Sequence, residues 1–339
     1  MKGETHRKQI PVAITMGCPA GIGPEIICRL FHQEQETGAR NSVVVGDIRV
    51  LQQMAHQLGM DIPVVSWSPG QAIAAGTLPV LQVRTVRSEP VCWGQPDTNT
   101  GLIMGQAVEQ AVEMVTKGTA SAIVTCPISK RSLQQAGYPY PGHTEMLAHL
   151  TGTPRVRMMM AGSRLKVVLV TIHIPLARVS ELLTQEEVED CISMTLAALK
   201  QDFALTAPRI AVAGLNPHSG EEGLFGDEEQ RIITPAIRNF SSDLVSGPWP
   251  PDTVFFKAAT GEFDAVVAMY HDQGLIPFKM LHFQDGVNVT LGLPLVRTSV
   301  DHGTAYDIAG CNRADHSSLV AAVAAAHTIL DNRRQRYRA

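Results

Sequence analysis

Short apolar runs rich in Val and Ile recur along this chain and alternate with longer stretches whose apolar positions fall at helical spacing. That alternation predicts an α/β fold with a largely parallel sheet. Strands are predicted at 11–16, 42–45, 121–125, 166–170, 209–212 and 265–269, and helices at 24–32, 101–116, 185–200, 227–239 and 317–331. Glu186, Glu187 and Glu189 fall in the first turns of the third helix, where acidic groups complement the helix dipole. The run Ser246-Gly247-Pro248-Trp249-Pro250-Pro251-Asp252 reads as a loop between two elements. No internal repeat or low-complexity segment interrupts the pattern.

A chain of 339 residues exceeds the usual single domain, so two domains flanking a cleft are expected. Hydrophobic residues make up 45% and charged residues 18%, enough for a sizeable core. The net charge is −4 with no block of one sign, which argues against a nucleic-acid surface. The basic end, Arg333-Arg334-Gln335-Arg336-Tyr337-Arg338, reads as a solvated helix terminus. Residues 1–8 lack the apolar core of a signal peptide, and no run approaches the roughly 18 apolar residues of a membrane span. Cys18, Cys28, Cys92, Cys126, Cys191 and Cys311 are scattered with no CxxC pair, which points to free thiols in the cytoplasm.

Three predicted strands run into loops that each carry one histidine: His173 after 166–170, His218 after 209–212 and His271 after 265–269. Ligands bind outside the carboxyl ends of strands in open α/β sheets. Three imidazoles there suit a divalent transition metal with positions left open for substrate oxygens, Asp272 being a fourth ligand or a supporting partner. Capping or packing histidines fit the same local pattern. Gly142-His143-Thr144-Glu145 starts a helix and reads either as an anion cradle or as an ordinary cap by Thr144. Lys279, Asn288 and Arg297 stand nine residues apart and suit a substrate carrying carboxylate and phosphate, or lie on unrelated exposed loops. Gly17-Cys18-Pro19-Ala20-Gly21-Ile22-Gly23-Pro24-Glu25 lacks the third glycine of a dinucleotide fingerprint, and Pro24 reads as the first helical residue.

The segment His302-Gly303-Thr304-Ala305-Tyr306-Asp307-Ile308-Ala309-Gly310 resembles the adenine-nucleotide loop of the isopropylmalate and isocitrate dehydrogenases, which bind the coenzyme without that fingerprint. Across the whole chain, the motifs at 19–25, 141–145, 216–221, 269–274 and 297–305 resemble, in order, those of the 4-hydroxythreonine-4-phosphate dehydrogenase (PdxA) family. The runs 223–229 and 251–255 resemble its second branch, which acts on 4-phospho-D-threonate or 4-phospho-D-erythronate. Cys18 departs from the acidic residue usual in the family's first turn.

The resemblance implies a homodimer with its site near the dimer interface. It also implies one divalent metal (Zn, Mg, Mn or Co) on His173, His218 and His271, and substrate on His143, Thr144, Lys279, Asn288 and Arg297. NAD is expected at His302, Gly303, Thr304, Ala305 and Asp307, with Lys279 or Asp272 moving the proton. By analogy with the dehydrogenase fold, residues 1–130 and 290–339 form the nucleotide-side domain and 131–289 the metal and dimer side. The expected reaction is oxidation at carbon 3 and decarboxylation of a 4-phosphorylated 3-hydroxy acid, 4-phospho-D-threonate or D-erythronate first and 4-phosphohydroxy-L-threonine second. A dehydrogenase for a non-phosphorylated cyclic diol carboxylate, a metal-dependent hydrolase and an inactive sugar-acid-binding regulator are the competing readings.

Overall fold

The computed structural model describes residues 10–33, 41–85 and 89–336. The N-terminal residues 1–8 and the last two of the basic run, Tyr337 and Arg338, lie outside the described residues. The chain begins with β1 (Val12–Thr15), α1 (Gly23–Gln33), β2 (Ser42–Gly46), α2 (Ile48–Gln57), β3 (Val64–Ser66) and β4 (Leu78–Gln82). There follow α3 (Thr98–Thr116), β5 (Ala122–Thr125), α4 (Lys130–Gln135) and α5 (His143–Leu150). Next come β6 (Arg157–Ala161), β7 (Lys166–Leu169), α6 (Val179–Leu182), α7 (Gln185–Gln201), β8 (Ile210–Ala213) and α8 (Thr234–Arg238). β9 (Val245–Trp249), α9 (Val254–Ala259), β10 (Ala265–Ala268), α10 (His271–Leu281), β11 (Val287–Leu291), β12 (Arg297–Val300) and α11 (Ser317–Arg336) complete it. Among the described residues no helix is long and apolar enough to cross a membrane.

Two compact units result. The first takes the described residues up to Pro154 together with Leu293–Leu330, and the second takes Arg155–Gly292 with the described residues from Asp331 on. In the first, the strand order is β3-β4-β2-β1-β5-β12, parallel throughout. In the second it is β11-β6-β7-β10-β8-β9, with β6 antiparallel to both its neighbours and the other pairs parallel. Strands buried on both faces need continuous apolar runs, and β1, β7, β8 and β10 supply them; Leu169, Ala211, Val266 and Phe278 join one core cluster in the second unit.

The units meet in sequence at 154 and 292, where the family analogy placed 130 and 289. Both α4 and α5 stay with the first unit because they pack on α3. The end of α11 groups with the second unit, where Arg333 pairs through two nitrogens with the buried Asp202, at 2.6 and 3.1 Å. Arg333 is therefore not the solvated terminal charge that the sequence suggests.

Two further expectations are corrected. The loop read at 246–252 overlaps the strand β9, which runs to Trp249. It tolerates Pro248 because it lies at the edge of its sheet, and its register with β8 shifts between Ala211 and Ala213. The single helix read at 227–239 is a π-helical turn over Glu229–Ile233 followed by α8. Pro235 lacks the N–H that would continue an α-helical ladder, which widens the preceding turn.

Packing of α4 on α3 depends on Gly101, where a Cβ would lie 2.1 Å from the Ser132 carbonyl oxygen. Helix propensity alone makes Gly101→Ala stabilising by about 1 kcal/mol. Overlap with a backbone atom reverses the sign, and we expect a net loss of about 1–3 kcal/mol in a denaturant melt; a stabilised variant would refute this packing account.

Candidate active site

In the second unit β7, β10 and β8 are parallel neighbours, so their carboxyl ends lie side by side. His173, His218 and His271 all follow those ends, as the sequence pattern predicts. Thr171 donates its hydroxyl to the Met269 carbonyl at 2.7 Å and so ties the first and third of these loops together. His271 opens α10, and His173 sits at φ 53°, a left-handed conformation that an L-residue rarely adopts without cause. Their rings stand 5.8 Å apart and tilted by 38°. Both line a cavity of about 200 Å³ with Thr171, Tyr270 and Asp272. Asp272 lies 2.6 Å from His271 Nδ1. An ionised carboxylate there accepts the Nδ1 proton and leaves Nε2 as the ring's lone-pair nitrogen.

His218 is placed differently. It lies in the Pro217–Gly223 segment, where His218, Ser219, Gly220, Glu221 and Glu222 all have positive φ. Four of those five carry a Cβ, and each such residue costs roughly 1–2 kcal/mol in this region. Its ring faces Phe225 at 6.4 Å. Among the described residues no group of three or more His, Cys, Asp or Glu side chains gathers closely enough to hold a metal ion. The structure thus brings together two of the three expected ligands. Two imidazoles, one backed by a carboxylate, fit part of a divalent cation's donor set.

Lys279 occupies the last turn of α10, half-buried. Asn288 lies in β11 opposite Met160. Its side-chain oxygen is buried and has no hydrogen-bond partner among the described residues. An orphaned buried acceptor of this kind is expensive unless a donor arrives.

The first unit holds the remaining anion-binding candidates. Arg297 opens β12, is 3% exposed, and donates through Nη2 to the Thr125 hydroxyl at 2.7 Å. Burial pulls its guanidinium down to about 10, opposed by the charge of Glu145, so it stays protonated at neutral pH. His143 is the first residue of α5. The cap position is Gly142, which has no side chain to offer, so Thr144 sits inside the first turn and does not cap the helix. Burial first, and the Arg297 charge second, hold the His143 ring well below the usual imidazole range, and hence neutral. Its Nε2 is buried without a hydrogen-bond partner among the described residues. A buried cation, a neutral imidazole and an uncapped helix start make a cradle for an anion.

The 302–310 loop of the same unit closes on the N-terminal turn. Ile22 N–H donates to the Thr304 carbonyl at 3.0 Å, and a Cβ on Gly21 would come within 2.9 Å of that oxygen. Tyr306 donates its hydroxyl to Cys18 Sγ at 3.3 Å. Burial raises the Cys18 thiol and pushes the Tyr306 phenol up to about 12. Glu25, fully buried in α1, accepts from the Ala314 N–H at 2.8 Å and from Arg29 at 3.3 Å, which anchors the loop's far end. Gln57 bonds both Trp93 Nε1 and the Gly310 carbonyl, each at 2.6 Å. His302 places Nδ1 3.1 Å from the Gly303 carbonyl, Ala305 sits at φ 40°, and Asp307 is exposed. Glu25 and Tyr306 fall inside the motif runs 19–25 and 302–310 without a role assigned from sequence, and Gln57 carries no motif signal at all.

Solved structures place this fold in a class of dehydrogenases. A 4-hydroxythreonine-4-phosphate dehydrogenase from Klebsiella pneumoniae matches with TM-score 0.87 and 39% identity, over 96% of this chain and 99% of that one. A terephthalate 1,2-cis-dihydrodioldehydrogenase from Burkholderia xenovorans matches with TM-score 0.65 and 30% identity, over 94% and 98%. Among sequences, the 4-hydroxythreonine-4-phosphate dehydrogenase of Desulfosudis oleivorans is 54% identical over 92% of this chain and 94% of its own. That of Desulforapulum autotrophicum is 50% identical over 92% and 93%. Residues 38–326 match the family described as pyridoxal phosphate biosynthetic protein PdxA, and the chain belongs to that family.

His143 generates a pH prediction. Its folded pKa is depressed below 6.5, so the unfolded chain takes up this proton first as pH falls. Stability is therefore whole above pH 6.5 and declines below it toward the folded value, by up to about 1.4 kcal/mol per pH unit. Denaturant melts across pH 7 to 5 should show that His143→Gln removes this part of the slope; an unchanged slope would refute the buried neutral ring.

Proposed function

We propose that this chain is a cytoplasmic NAD- and divalent-metal-dependent dehydrogenase that oxidises the carbon-3 hydroxyl of 4-phosphohydroxy-L-threonine. The observation that carries this reading is 54% identity along nearly the whole length of a relative bearing that activity's name. The motif runs at 223–229 and 251–255 put 4-phospho-D-threonate or D-erythronate first on sequence alone; the names of the relatives favour the amino acid. A metal-dependent hydrolase receives no support from dehydrogenase relatives.

In this assignment Arg297, His143 and Thr144 bind the substrate's anionic groups. Lys279 and Asn288 complete the recognition, and Asn288 gains a donor for its orphaned oxygen. His173, His271 and, in the assembled enzyme, His218 hold the cation. When bound, the cation acidifies the substrate hydroxyl and polarises the ketone. His302, Gly303, Thr304, Ala305 and Asp307 form the loop that takes NAD. The hydroxyl proton passes to the unprotonated amine of Lys279 as hydride leaves carbon 3 for NAD, and Asp272 orients His271 rather than shuttling the proton. The resulting ketone lies β to the carboxylate, so carbon dioxide leaves while the electrons of the broken C–C bond stay on the substrate as an enolate, which takes up a proton at carbon 2.

A homodimer belongs to the same proposal. On α10 and just beyond it, Ile276, Met280 and Phe283 repeat at helical spacing and are 61%, 82% and 80% exposed. An apolar stripe of that exposure is suited to burial against a second copy. Met280→Glu should shift the protein toward monomer in light scattering, and an undisturbed dimer would place the interface elsewhere.

NADH absorbance with purified protein, NAD and a divalent metal should rise with 4-phosphohydroxy-L-threonine. Turnover confined to 4-phospho-D-threonate or D-erythronate would move the enzyme to sugar-acid catabolism. No turnover on any of the three would refute the substrate class.

A further inference from the structure

Beneath the three histidine loops, the second unit carries a layer of polar side chains that join them. Glu229, 3% exposed, lies in the π-helical turn after the His218 segment. Its Oε1 accepts from the Leu215 N–H at 2.8 Å and the Asn216 N–H at 2.7 Å, and its Oε2 accepts from Asn216 Nδ2 at 3.0 Å. Glu228 accepts from the same Asn216 amide at 2.7 Å and from the hydroxyl of Ser180, in the helix that follows the His173 loop. Gln273, two residues past His271, accepts from the Met269 N–H and donates to the Gly214 carbonyl, both at 2.7 Å. Two of these bonds cross between strand ends, Gln273 to Gly214 and Ser180 to Glu228, and the others brace the β8 and β10 ends from within.

Glu229 holds the central position. The ladder of β8 ends at Ala213, so Leu215 and Asn216 need acceptors outside the sheet. The carboxylate supplies them, and it also fills the inside of the left-handed coil: a Cβ on Gly220 would lie 2.7 Å from Oε2, and one on Gly214 3.1 Å from Oε1. Four residues with a Cβ persist in the left-handed region only where the surroundings over-determine the backbone. A charge accepting from consecutive N–H groups provides that determination.

We propose that Glu229 is a positioning residue: it fixes the backbone of 215–222 and thereby sets how His218 is presented to a divalent cation. The inference rests on the metal role proposed for the histidines. It adds a buried carboxylate that touches neither ion nor substrate and acts through the loop it carries.

Cobalt(II) titration followed by visible absorption, with amide exchange on the cation-free protein, tests it. Glu229→Gln keeps the shape and one acceptor but turns an NH₂ toward the Asn216 NH₂; Glu229→Ala removes both acceptors. Cobalt affinity should fall roughly 10-fold in the first and up to about 100-fold in the second. The absorption bands should shift, and amides of 215–223 should exchange faster in both. If Glu229→Ala fails to fold, Glu229→Gln decides. Wild-type affinity and spectrum in Glu229→Gln overturn the proposal, whether or not exchange accelerates. A wild-type chain that takes up no cobalt refutes the metal reading itself; that result is read before any variant is made.

Discussion

Parallel strands that stop together leave their last backbone groups without a ladder, and in the second unit that shortage organises everything above it. Thr171, Gln273 and Glu229 take over where β7, β10 and β8 end, the first two bonding main-chain atoms of a neighbouring loop and the third those of its own. These contacts are short, directional and wholly or partly buried, so the loops they join inherit the rigidity of the sheet. The histidines are then carried on backbone that has few alternatives. Left-handed geometry at His173 and His218 is affordable because it is enforced from below.

The first unit solves a different problem, which is how to keep a positive charge away from water. Arg297 begins a strand whose next two residues are Thr298 and Ser299, all three nearly inaccessible. Thr298 donates to the Ala322 carbonyl and Arg297 to the Thr125 hydroxyl, so the polar strand is stitched to α11 and β5 by its own side chains. Burial weakens the hold of the guanidinium on its proton and keeps His143 neutral beside it. An arriving anion would relieve the first strain and find a hydrogen-bonding partner in the second.

Much of the fold was readable because β1, β2, β5, β7, β8 and β10 are continuous apolar runs and the long helices have clear ends. The strand β12 was invisible for the opposite reason: Arg-Thr-Ser-Val looks like a surface segment until its partners are known. β9 was hidden by Pro248 and the two prolines just after it, and the tolerance of Pro248 depends on an edge position that no local pattern announces. For the site, the strand-end histidines and Arg297 stood out by type and spacing. The left-handed backbone at His173 and through 218–222 governs where those imidazoles stand, and sequence does not encode it legibly. Glu229 escaped notice because an acidic residue in a run of acidic residues reads as solvated.

The union of Tyr306 with Cys18 has a consequence of its own. A carboxylate at position 18 would bring a full negative charge to the junction between the first turn and the 302–310 loop. A thiol meeting a phenol brings none, and both groups titrate far above neutrality. Such a joint is indifferent to ionic strength, because counter-ions screen charges and leave neutral hydrogen bonds alone.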